Sequence, residues 1–168
     1  MPADAFDPGA TLEEDARVRG ELLRAIEGLP EATWDDVWVG EWTLGDIIAH
    51  VAGAQAGYAE ALEHIANGEP LTIEGWEPGP LHDWNAMTVA AERDRTWDER
   101  LADPAAAQAR HAAAVYAIPA TTYTAPEAGF PHQFSAAKNT AEHFASNVLH
   151  HERAHVREIA DEPRERGL

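Results

Sequence analysis

The sequence predicts an all-α protein, an antiparallel four-helix bundle with long connecting loops. Three observations predict it: apolar residues recur at helical rather than alternating spacing, capping-box signals open three of the apolar runs, and strand signals are few. A chain of 168 residues suffices for a single domain over 1–168 whose core needs neither disulfides nor a structural metal.

Each element has its own signal. Thr11-Leu12-Glu13-Glu14 reads as a capping box, and Leu12, Ala16, Leu23 and Ile26 follow at helical spacing, so the first helix is expected to end near Leu29, before Pro30. Thr43-Leu44-Gly45-Asp46 is a second box with Asp in place of Glu. It opens a longer helix carrying Ile47, Val51, Ala54, Tyr58, Leu62 and Ile65, closed by Asn67-Gly68. Residues 68–81 are rich in Gly and Pro and carry Trp76, which predicts a long connection over an open end of the domain. Helix resumes at Trp84 and breaks between Asp94 and Thr96, where Thr96-Trp97-Asp98-Glu99 forms a third box. Asp103-Pro104 predicts a kink or a fresh N-cap inside an otherwise strongly helical stretch that reaches Tyr116. From Pro119 to Phe134 the composition is that of an irregular loop, and a last helix is expected from about Ser135 to Ile159. No solenoid repeat and no second domain are visible.

Composition narrows the function classes. Thirty acidic against twelve basic residues give a formal charge of −18, which repels phosphate backbones and anionic lipid, so nucleic-acid and membrane partners are not expected. The charge reads as a solvated surface, suited to high salt or temperature. There is no cysteine, so any sulfur chemistry requires a delivered thiol. Neither a leader-like N-terminus nor a long apolar run is present, and the expected location is the cytoplasm.

The chemistry concentrates in His151-Glu152-Arg153-Ala154-His155 and a distant His50. Residues four apart lie roughly 40° apart around a helix, so the rings of His151 and His155 can converge. Both fall within the stripe of Phe144, Asn147, Val148 and Ile159, and His50 lies beside Ile47, Ala54 and Ala61 on the corresponding stripe of the second helix. Three inward imidazoles predict one shared divalent metal at His50, His151 and His155. Zinc or nickel come first, and iron and copper also suit such ligands, with a position left for water or substrate. The same residues spell HExxH, the zincin motif with Glu152 as general base. That reading needs a third ligand, usually downstream, and the thirteen acid-rich residues after His155 leave no room for a supporting helix.

These residues resemble a known family. Trp42-Thr43-Leu44-Gly45-Asp46-Ile47-Ile48-Ala49-His50 is similar to the W-S/T-x-x-D-x-x-x-H opening of the second helix in DinB-like metal-binding proteins, the superfamily that includes mycothiol-dependent maleylpyruvate isomerase. His151 to Ile159 resembles their final-helix H-x-x-x-H-x-x-Q-I, and between the two lie Asn85 and the basic pair Arg93 and Arg95. The resemblance implies a helical bundle, a triad of His50, His151 and His155, a homodimer and, in several relatives, transfer of a low-molecular-weight thiol of the mycothiol or bacillithiol type. Two departures stand out: Glu158 occupies a position where relatives often carry Gln, and His151 occupies one where the isomerase uses Glu, which leans away from that reaction.

The leading expectation is a metal-dependent S-transferase in which a cofactor thiol, deprotonated at the open metal position, attacks a small electrophile. A hydrolase activating water and a noncatalytic small-molecule or stress-associated binding protein are the alternatives. Arg93 and Arg95 are candidates to hold a cofactor carboxylate, with solvated helix-surface arginine as the plain reading. Asn147 is a candidate to contact the substrate or orient a ligand, although packing behind the ligands is the simpler role. Tyr58 is expected in the core, and His143 and His150 beside the ligand face as bystanders.

Overall fold

The computed structural model describes residues 6–68, 81–119, 122–123 and 141–166. Among them are five α-helices: α1 (Pro8–Glu27), α2 (Leu44–Asn67), α3 (Leu81–Glu92), α4 (Trp97–Ala117) and α5 (Ala141–Arg166). A 3-10 turn at Glu31–Thr33 and two short strands, β1 (Val37–Val39) and β2 (Trp42–Thr43), join α1 to α2. The all-α class therefore holds. The expected features of 69–80 and 124–140, the start of the last helix included, lie outside the described residues.

Two of the three capping boxes work as expected. Thr43 accepts from the Asp46 amide while Asp46 accepts from the Thr43 amide, both at 3.1 Å, and Thr96 and Glu99 do the same for α4. At the other end of α2, Gly68 takes a left-handed φ of 68°, which a residue with a Cβ adopts only with strain. The first box is not a helix start. Asp7 caps α1 by accepting from the Ala10 amide at 3.1 Å, Pro8 fills the first turn, and Thr11 sits a turn inside, donating to the Asp7 carbonyl. Asp-Pro competes well for the N-terminus because proline lacks the amide that would otherwise be orphaned there.

Pro104 neither ends nor restarts α4, which runs over it from Thr96. Asp103 is no cap; it pairs with Arg95. Past Ile159, α5 continues to Arg166. The strand pair was not expected. It is antiparallel, with Val37 opposite Thr43 and Val39 opposite Trp42, and Gly40, φ 61°, supplies the left-handed residue its two-residue turn requires. Strands of three and two residues carry too little alternation to register against the helical pattern.

Cross-helix contacts set the chain directions. On α1 and α5, Glu14 meets Arg153, Arg19 meets Glu152, and Leu22 and Ile26 share a cluster with Ile159, so these two helices run parallel. On α2 and α4, Gly45 lies against Arg100 and Glu63 binds Arg110, again a parallel pair. α2 and α5 run opposite, with His50 beside His151 and Tyr58 beside Asn147, and the same directions make α1 opposite to α4, which it meets where Gln108 donates to Asp15. Of these four helix pairs two are antiparallel, as expected, and two are parallel. A short connection forces the next helix to fold back, whereas α2 reaches α4 through a long segment and α3, and α1 meets α5 across the whole chain.

The core has two apolar clusters. One gathers Leu62, Val115, Tyr123 and Phe144; the other gathers Leu22, Ile26, Trp38, Ile47, Val51 and Ile159. Burying each large aliphatic side chain contributes roughly 1.5–3 kcal/mol. Between these clusters along the helices lies a layer of buried polar groups: Asp15, Arg19, His50, Gln55 and Glu152.

Candidate metal centre

His50 projects from the second turn of α2 and is 6 % exposed. His151 and His155 project from α5 and are partly buried. His50 Nε2 lies 2.7 Å from His151 Nε2, and His151 Nε2 lies 3.3 Å from His155 Nε2. One ligand atom from each ring falls within 4.8 Å of the others. Three nitrogens on one tetrahedral zinc, at bonds of about 2.0–2.1 Å, stand roughly 3.3–3.4 Å apart. The His151–His155 pair already has that spacing, and the His50–His151 pair reaches it by a small opening. The three expected ligands are thus brought together from two helices.

The electrostatics favour neutral rings at His50 and His151, as ligation requires. Burial, reinforced by His155, holds His50 down at about 4. Burial, with His155 and His50 adding to it, holds His151 down at about 3. His155 Nδ1 lies 2.7 Å from Glu158 Oε2; an Nδ1–H donated to that carboxylate leaves Nε2 as the free lone pair facing the other two rings. Glu158, in the sequence a departure from a family pattern, thus orients the His155 ring, and its position three residues after His155 is the signal that marks it. His50 Nδ1 has no hydrogen-bond partner among the described residues, and its ring faces the cluster through Nε2. The donor set fits a divalent metal.

Trp42 of β2 packs on His50, ring centroids 4.8 Å apart, and β1 contacts α5. The strand pair therefore walls one side of the centre, a role the sequence could not show. Asn147, one turn before His151, donates to the Tyr58 hydroxyl, linking α5 to α2. Burial pushes the Tyr58 phenol up, with the Asn147 amide pulling the other way, so it stays protonated.

The arginine candidates take separate positions. Arg93 Nε donates at 3.3 Å to Asp46, one turn before His50 on α2, with its side chain 62 % exposed. Arg95 binds Asp103 and lines a cleft of about 280 Å³ with Ala49, Ala52, Gly53 and Arg110. That cleft opens on a side of α2 roughly 110° from His50, taking 100° per residue. His150 is exposed, and His143 packs edgewise on Phe144. Asn85 lies on α3 and is partly buried.

Glu152, the base position of an HExxH reading, is 1 % exposed and accepts from Arg19 through both carboxylate oxygens. A carboxylate committed to a guanidinium inside the core does not serve a water at the imidazoles, and the zincin reading falls on that contact.

A helical protein with three imidazoles converging from two helices, one buried and two partly buried, belongs to the class of helical metal-binding proteins. The family model described as the DinB superfamily matches residues 14–159, and the chain belongs to that superfamily, which is metal-binding. No curated protein and no solved structure matches the chain.

Proposed function

We propose that this protein is a metal-dependent enzyme of the cytoplasm, a homodimeric S-transferase that uses a low-molecular-weight thiol of the mycothiol or bacillithiol type against a small electrophile. The observation that carries the reading is the convergence of His50, His151 and His155 on one point, with protein donors in number for a catalytic rather than a closed structural site. A divalent metal held there, zinc or nickel foremost, supplies Lewis acidity that lowers the pKa of a coordinated thiol or water.

The chain's own groups set the geometry around that chemistry. Glu158 fixes the His155 tautomer, Trp42 shields His50 from solvent on one side, and the Tyr58–Asn147 pair presents a protonated phenol one to two turns away. Arg93, held on Asp46 one turn from His50, is the candidate for a cofactor carboxylate, with Arg95 further round α2. The sequence has no cysteine, so the sulfur in this reading is delivered by the cofactor.

Elemental analysis of the purified protein tests the first half: about one metal per chain is expected, and a metal-free preparation with full activity overturns it. Turnover of a generic electrophile with and without added thiol tests the second half. Product formation that ignores the thiol would point to water as nucleophile and overturn the transferase.

A further inference from the structure

The polar layer contains a contact that joins both ligand-bearing helices to a third. Arg19 of α1 is 2 % exposed, and its guanidinium donates to both oxygens of Glu152, one of them at 3.1 Å, and to Gln55 Oε1. Glu152 directly follows His151 on α5, and Gln55 lies five residues after His50 on α2. The amide of Gln55 is held at both ends, because its Nε2 donates at 3.1 Å to Asp15, one turn before Arg19 on α1; Gln108 of α4 donates to the same Asp15 oxygen at 3.3 Å.

From this geometry we infer that Arg19 is a positioning residue for the metal centre. One planar guanidinium sets the spacing between α2 and α5 and the rotation of α5, and so the approach of His151 to His50. The inference rests on the proposed metal site and names the group that preorganises it. Arginine suits the task because its rigid fork reaches two acceptors at once, whereas a lysine ammonium offers a compact point charge on a flexible stem. Burial alone does not explain the contact. A buried ion pair is on average no more stabilising than apolar residues of the same volume, so its value lies in where it puts the helices.

The test is zinc affinity by competition with a chromophoric chelator, alongside the thermal stability of each metal-free variant. Arg19→Lys keeps the charge and loses the two-way fork; Arg19→Met/Glu152→Leu replaces the pair by apolar volume; Glu152→Gln keeps one of the two acceptor oxygens, puts an amide donor in place of the other, and serves as the conservative control. Phe144→Ala lowers stability without touching the network. A positioning role predicts that zinc binding weakens about 10–100-fold in Arg19→Lys and in the double variant, whatever their stability, and by less than about threefold in Glu152→Gln. Zinc affinity within about threefold of the parent in Arg19→Lys overturns the inference and leaves the metal site standing. So does a loss no larger than that in Phe144→Ala at equal loss of stability. Should the double variant fail to fold, Arg19→Lys decides. A parent protein that binds neither zinc nor nickel removes the metal site itself, and the inference with it.

Discussion

The Glu158 carboxylate lies 2.7 Å from His155 Nδ1, on the far side of the ring from the nitrogen that faces His151. Outer partners of this kind decide which imidazole nitrogen carries the lone pair and how the ring is aimed. Replacing Glu158 by Ala is therefore expected to weaken zinc binding about 10–100-fold with little change in helicity. Glu158→Gln, which still offers an acceptor oxygen, should lose much less. Equal affinity in all three proteins, measured by chelator competition, would show that His155 needs no help from the carboxylate.

His50→Ala removes one of three donors and the ring against which Trp42 packs. The expected result is loss of bound metal with the helical circular-dichroism signal retained, because the apolar clusters on either side are untouched. Unfolding of the variant would instead make His50 a structural residue.

Acid sensitivity follows from the lowered histidines. In the folded metal-free chain His50 stays neutral down to about 4 and His151 down to about 3, whereas both take up a proton near the ordinary 6.5 once unfolded. The unfolded state thus binds more protons below 6.5, and stability falls as pH falls. The contribution is complete above 6.5 and is lost progressively toward the folded values, at about 1.4 kcal/mol per pH unit for each ring. Urea melts of the metal-free protein from pH 7 to pH 5.5 should show a net fall in stability, offset in part toward the acid end by Glu152, whose carboxyl is pushed up by burial; a flat profile down to pH 6 would contradict neutral buried rings.

The start of α1 separates two readings of the same N-terminal sequence. Asp7→Ala should cost about 0.5–2 kcal/mol, the usual value of a lost N-cap. Thr11→Ala, in the box that the pattern alone singles out, should stay within about 0.5 kcal/mol because its hydroxyl only donates to the exposed Asp7 carbonyl. Thermal melts of the two variants settle the order, and the reverse ranking would place the helix start at Thr11.

Tyr58→Phe keeps the ring but removes the acceptor of the Asn147 amide. Leaving that partly buried donor unpaired is expected to cost about 1–3 kcal/mol. If the pair also faces substrate, kcat/KM should fall by more than the stability loss explains; an unchanged kcat/KM would confine the pair to packing.

Much of the site was legible before any coordinates. Helical periodicity placed His151 and His155 on one apolar stripe and His50 on another, since a period of 3.6 converts spacing directly into angle. Caps at Thr43 and Thr96 were legible for a similar reason: a capping box is a local exchange of hydrogen bonds between residues three apart. Where two local signals competed, as at Asp7-Pro8 and Thr11, the stronger cap won, and pattern alone did not rank them.

What the sequence by itself determined is the helical class and which three histidines share the inward stripes of two helices. Only the tertiary structure decided that α1 and α5 run parallel, that a two-stranded pair walls the His50 side, and that Glu152 turns to Arg19 instead of the imidazoles. The reason is range. Caps and stripes depend on neighbours within a turn or two, whereas Arg19 and Glu152 are 133 residues apart and meet only when four separate elements share one polar layer.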